Sequence, residues 1–136
     1  MRFPIVIHKD RNSGYGVTVP DLPGCFSAGD SLDEAIDSTH EAITCHLEGL
    51  LMDGETIPEQ APLEAHRANK EFRGGTWALV SVDISKLSSK AKRVNITIPA
   101  RVLAIVDEAA AREGETRSGF LARAALSYVE RHSIKP

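Results

Sequence analysis

Hydrophobic positions change their period along the chain, and each change marks a different element. Phe3, Ile5, Val6 and Ile7 form a β-rich run that reaches His8. The turn cluster Asp10-Arg11-Asn12-Ser13-Gly14 interrupts it, and Tyr15, Val17 and Val19 then alternate with Gly16 and Thr18 as a returning strand. Pro20-Asp21-Leu22-Pro23-Gly24 is a second turn, dense in residues that fix or free φ, and residues 25–29 read as a short third strand. The period then lengthens. Ser31 and Glu34 have capping-box spacing and open a helix with Leu32, Ala35, Ile36, Thr39, Ile43, Leu47 and Leu50 on one face, closing near Gly54. Beyond Pro58 and Pro62 the pattern predicts a short helix over residues 63–71 and a fourth strand over residues 76–84. These elements make a small α+β unit, a sheet with one face covered.

The last forty-odd residues follow a different plan. Val94, Ile96 and Ile98 alternate with Arg93, Asn95 and Thr97 until Pro99 stops the run. Pro99 suits a helix start, and Leu103, Val106 and Ala110, flanked by Val102, Ile105 and Ala109, form an apolar stripe at helical spacing up to Arg112. Gly114 ends that helix, and Thr116 is a natural N-cap for a second one with the stripe Phe120, Leu121, Ala124, Ala125, Tyr128 and Val129. This segment holds one strand and no second strand to pair with it. A lone strand with one apolar face and unpaired edges is unstable in water, so a second copy of the same strand is the expected partner. The outer face of such an antiparallel ribbon would show two Arg, two Asn and two Thr, a size and chemistry that suit a DNA major groove. Residues 92–132 resemble the ribbon-helix-helix family. That resemblance implies base reading by Arg93, Asn95 and Thr97, and phosphate binding by the turn Thr116-Arg117-Ser118.

Charge divides the chain in the same place. Residues 1–85 carry 6 Lys and Arg against 14 Asp and Glu, a balance of −8, while residues 86–136 carry 10 against 5, a balance of +5. The overall −3 therefore hides a basic module tethered to an acidic one. The polar stretch from Ser85 to Lys92 reads as the connection. The expected organisation is a domain over 1–85, a linker over 86–92 and a second domain over 93–136.

Other classes are excluded more briefly. No apolar run is long enough to cross a membrane, and no charged-then-apolar leader with a cleavage site is visible, so a cytoplasmic protein is expected. Cys25 and Cys45 lack metal-type spacing and read as two small core residues. His40, Cys45 and His46 share a helix at spacings that do not make an i, i+4 zinc pair, His8 sits in a strand, His66 in a polar loop segment and His132 near the end. No phosphate-cradling glycine loop or nucleophile elbow is present, and no cofactor is implied.

The run Tyr-Gly-Val-Thr-Val-Pro-Asp-Leu-Pro-Gly-Cys-Phe-Ser-Ala-Gly-Asp-Ser-Leu-Asp-Glu-Ala over residues 15–35 resembles the signature of the HicB antitoxin family, and Thr-Trp-Ala-Leu-Val-Ser-Val-Asp-Ile fits that family's last strand. The match spans roughly residues 3–85. It implies a partial RNase H-like fold, and with the C-terminal segment it implies an antitoxin. Such a protein binds and masks a HicA-type toxin, a small basic ribonuclease that cuts messenger RNA with a histidine, and represses its own operon by binding operator DNA.

An RNase H-like fold raises the rival expectation of a nuclease. That chemistry needs several carboxylates converging on two divalent cations about 4 Å apart. Asp10 is a turn former, and Asp83 precedes the linker. Asp33, Glu34 and Asp37 suit the positive end of a helix dipole, and Glu41 and Glu48 a solvated face. No catalytic residue and no metal ligand is therefore expected. The acids Asp33, Glu34, Asp37, Glu41 and Glu48, with Asp10 and Asp21 in turns, are instead candidates for meeting the basic toxin. A dimer through the C-terminal strand is expected, with a homotetramer open. The alternative is a stand-alone ribbon-helix-helix regulator whose N-terminal domain senses a ligand or oligomerises.

Overall fold

The computed structural model describes residues 1–9, 11–12, 14–87 and 92–132. Asp10, Ser13, part of the expected linker (88–91) and residues 133–136 lie outside them. The chain divides into two compact units, Arg2–Val82 and the segment from Asp83 onward together with Met1. That division falls three residues ahead of the boundary expected from composition. The stretch from Ser85 to Lys92 reads as a polar connection, yet Leu87 within it is buried.

The first unit is a four-stranded antiparallel sheet in the order β3-β2-β1-β4, built from β1 (Arg2–Lys9), β2 (Tyr15–Thr18), β3 (Phe26–Gly29) and β4 (Thr76–Ser81). The register sets Ile7 opposite Val17, and Phe3 and Ile5 opposite Val80 and Ala78. These positions share one face by the two-residue period of a strand. Helix α1 (Leu32–Met52) packs on that face and buries Ala35, Thr39, Ile43 and Leu47. Gly29, at the end of β3, permits the approach, since a Cβ there would lie 2.4 Å from the Ala35 nitrogen. Thr39 is buried at no polar cost because its hydroxyl donates to the Ala35 carbonyl at 2.6 Å. Ser31 caps α1 by accepting from the Glu34 N–H at 3.1 Å, and Glu34 reaches back to the Asp30 N–H at 3.2 Å.

The other face of the sheet carries Val6 and Trp77, which are register partners. Residues around Gly75 lie over it, since a Cβ on Gly75 would meet the Val6 side chain. The expected helix over 63–71 is a five-residue α2 (Leu63–Arg67) followed by a separate 3₁₀ turn at Lys70–Phe72. The expected fourth strand stops at Ser81 rather than residue 84. Asp83 ends it by capping a 3₁₀ turn at Ile84–Lys86, its carboxylate accepting from the Ser85 N–H at 3.0 Å.

The second unit contains α3 (Ala100–Arg112) and α4 (Arg117–His132), with α4 packed on α3 and on the turn Ile84–Lys86. Pro99 stands at the N-cap of α3. At its other end Gly114 has φ +67°, the Glu115 N–H donates to the Ala110 carbonyl and the Gly114 N–H to that of Ala111. This is the paired closure that a left-handed residue makes possible and that a side chain would strain. Of the α3 stripe only Ala110 is buried. Val102 and Ile105 are exposed, as are Leu126, Tyr128 and Val129 on α4.

Candidate functional sites

Residues 92–98 lead into Pro99 without helix or strand and pair with no strand among the described residues. Arg93, Asn95 and Thr97 are exposed. So are two apolar members of the alternation, Val94 at 72% and Ile96 at 65% accessible, while Ile98 is half-buried. A single chain thus leaves both faces of this segment in water.

The α4 entrance is built from its own residues. Thr116 accepts the Gly119 N–H at 3.0 Å, which makes it the N-cap, and its hydroxyl donates to Asp83 Oδ2 at 2.9 Å. The other Asp83 oxygen takes the Ser85 hydroxyl at 2.6 Å. Burial works to raise the Asp83 pKa, but the Ser85 and Thr116 hydrogen bonds and the Lys86 charge outweigh it and hold the carboxyl below its ordinary 3.8. Gly119 is buried where a Cβ would lie 2.6 Å from Asp83 Oδ1, so α4 enters against this carboxylate. Arg117 is exposed and grips Asp107 of α3 through two parallel hydrogen bonds, Nε to Oδ1 and Nη2 to Oδ2, both 2.8 Å. Ser118 is exposed. Further along α4, Arg123 joins Glu115 at 2.8 Å and also Glu113, beside the Phe120 ring.

Sequence reading placed Thr116, Arg117 and Ser118 together but missed Asp83 and Asp107. The signal for Asp107 is its place in the last turns of a helix that a glycine turn folds back against the next one. The signal for Asp83 is weaker, an Asp two residues before Ser85, which is a common cap spacing.

In the first unit, α1 gathers the predicted acids. Asp33, Glu34, Asp37 and Glu41 are exposed and Glu48 is half-buried. At 100° per residue the five fall within an arc of about 100°, on the side away from Ala35, Thr39, Ile43 and Leu47. Asp33 and Glu34 occupy the first turn, where the helix dipole favours them.

Three expectations need correction. Asp21 does not offer its charge to a partner. Its side chain is 4% exposed, and Oδ1 accepts the Ala61 N–H at 2.9 Å and His66 Nε2 at 2.8 Å. His66 is accordingly a part-buried α2 residue stacked on Trp77, not a loop histidine. Cys25 is buried, which pushes its thiol pKa up, but Cys45 is exposed and is no core residue. Asp10 lies outside the described residues. Among the described residues, no three His, Cys, Asp or Glu converge to hold a metal ion, and no helix is long and apolar enough to cross a membrane.

A sheet-and-helix unit with an acidic helix face, followed by a segment that pairs with no described strand and a helical hairpin whose Arg and acid residues balance, defines the class of fold. Comparison with known proteins identifies the class further. Residues 3–125 match the family model described as the HicB-like antitoxin of bacterial toxin–antitoxin systems, and the chain belongs to that family. It is 44% identical over 129 residues to an uncharacterized 14.9 kDa protein from the rep-hol intergenic region of Haemophilus phage HP1, covering 93% of this chain and 96% of that one. The crystal structure of the Burkholderia pseudomallei antitoxin HicB matches with a TM-score of 0.77 at 51% identity, over 95% of this chain and 98% of the other. A structure of a HicA3 and HicB3 toxin–antitoxin complex matches with a TM-score of 0.53 at 30% identity, covering 61% of this chain and 99% of that one.

Proposed function

We propose that this antitoxin neutralises a HicA-type, mRNA-cleaving toxin through its first unit and represses its own operon through its second. The observation that carries the reading is the exposed alternation at residues 93–98. Val94 and Ile96 cannot stay in water, and the same segment of a second copy buries them while turning Arg93, Asn95 and Thr97 outward. On that ribbon Arg93 forks onto guanine O6 and N7, Asn95 pairs with adenine N6 and N7, and Thr97 meets a thymine methyl or a hydrogen-bonding edge. Two-fold symmetry duplicates the set, so the operator holds inverted half-sites. The turn at Thr116, Arg117 and Ser118 fixes register on phosphate. The acidic arc of Asp33, Glu34, Asp37, Glu41 and Glu48 supports a basic partner, because complementary charge steers encounter and suppresses wrong partners. Repression and toxin masking thereby reside on separate modules of one cytoplasmic homodimer.

The test is co-expression of the full chain with the small basic, histidine-containing reading frame beside its gene. The two products should co-purify, mRNA cleavage should stop, and the complex should bind the native promoter. The combined variant Asp33→Lys, Asp37→Lys and Glu41→Lys should slow toxin association and keep DNA binding. Unchanged association kinetics at low salt would move the toxin site off α1.

A further inference from the structure

The α4 entrance is electrostatically occupied before any nucleic acid arrives. Arg117 is the cation of the turn proposed to hold phosphate, yet both edges of its guanidinium fork already lie on Asp107, at 2.8 Å each. The pair is a geometric match of two planar groups and holds two donors that a phosphate would need. Both partners are substantially exposed, 56% for Arg117 and 43% for Asp107, so a phosphate can reach the guanidinium and water can receive the released carboxylate. Hydrogen bonding between them pulls the Asp107 carboxyl below its ordinary pKa and pushes the Arg117 guanidinium up, so both are charged at neutral pH.

We propose that Asp107 is an internal competitor for DNA phosphate, and that binding proceeds by exchanging the Asp107 carboxylate for a phosphate on Arg117. The inference rests on the DNA-binding reading above. Its consequence is discrimination. The exchange lowers backbone affinity equally on every sequence, so operator binding depends more heavily on the base contacts of Arg93, Asn95 and Thr97. The released carboxylate also has to recruit cations, which offsets part of the counterion release that Arg117 would otherwise produce.

Glu108, the adjacent exposed acid on α3, supplies a matched control because its removal changes net charge by the same amount. Full-length D107N, E108Q, R117Q and the double variant D107N/R117Q are titrated against the operator and against an unrelated duplex over a salt series. A melting curve confirms that each is folded, and D107S repeats the test with a second side chain. D107N should bind both duplexes about two- to fivefold more tightly for each protomer engaged, the range of an exposed ion pair. Its plot of log affinity against log salt should steepen by up to about one per protomer. E108Q should give a smaller gain and the wild-type slope. The D107N gain should shrink once Arg117 is gone. A D107N gain matched by E108Q, or one that survives intact in R117Q, overturns the competition and leaves a general charge effect. D107N without gain, beside an R117Q that binds more weakly, also overturns it while sparing phosphate contact at the turn. Wild-type affinity in R117Q overturns that contact itself.

Discussion

Replacing Ile96 by Ser tests the assembly on which the DNA reading depends. Fully burying an isoleucine side chain stabilises by about 1.5–3 kcal/mol. In the single chain Ile96 remains 65% exposed, so about two-thirds of that stabilisation, roughly 1–2 kcal/mol, is left for pairing with a second copy. Symmetry removes the contact twice, which gives about 2–4 kcal/mol and raises the dimer dissociation constant roughly 30- to 1000-fold. Val94, 72% exposed, should behave alike. Sedimentation equilibrium of the full chain from nanomolar to high micromolar concentration measures the shift. The protein's single tryptophan, Trp77, lies in β4 of the first unit, so its emission reports separately on that unit and should not change. Operator binding should fall in parallel with dimer dissociation. A folded Ile96→Ser chain that dimerises as tightly as wild type would refute the ribbon, and so would a wild-type chain that stays monomeric at micromolar concentration.

Asn95→Ala should relax base preference at one position per half-site, losing about 1–3 kcal/mol of discrimination there, whereas Arg117→Ala should weaken all sequences together and flatten the salt dependence; competition binding against a randomised site separates the two. Asp21→Ala removes the acceptor of the Ala61 N–H and the His66 partner inside the first unit, so it should cost about 1–3 kcal/mol in urea unfolding. Because His66 stacks on Trp77 with ring centroids 6.4 Å apart, the same variant should alter tryptophan emission. The Asp83 carboxyl is held below 3.8, so its contribution is fully present above that value and is lost as pH falls through the lower folded value. Asp83→Asn should therefore lose stability at neutral pH and show a weaker acid dependence below about pH 4 in thermal melts.

Much of this architecture was legible because strong local signals agreed with burial. The Ser31 cap, the α1 stripe around Ile43 and Leu47 and the glycine turn before Thr116 each depend on a few adjacent residues, and the structure places them as the pattern requires. The failures differ in cause. Cys45 was judged by residue type although the α1 period sets it on the solvent side, while Asp21 and His66 were judged from neighbours in sequence and take their surroundings from elsewhere. Asp21 meets residues forty and forty-five positions away, which no local period records. The strand end at Ser81 was misjudged because Val82 and Ile84 continue the apolar alternation, while the Asp83 cap that breaks it costs only one residue. The acids of α1 were legible as a group, yet their arc emerges only when the buried side fixes the helix rotation.

The arrangement of charge is the one that the proposed division of labour between two modules requires. A surface that attracts a basic ribonuclease must be acidic, and a surface that attracts DNA must be basic. Within a single small domain the two fields would cancel across a Debye length of about 8 Å at physiological salt. Here the acids concentrate in Arg2–Val82, and the basic excess lies beyond residue 85. Three acids of the second unit are engaged by α4 arginines. Asp107 lies on Arg117, and Glu113 and Glu115 lie on Arg123, so two of the three α4 arginines are held by acids of the hairpin, while Arg93 belongs to the unpaired segment. Charge on α4 thus goes first to holding the hairpin together. Arg93, Asn95 and Thr97, the residues proposed to read bases, are by contrast exposed in alternation.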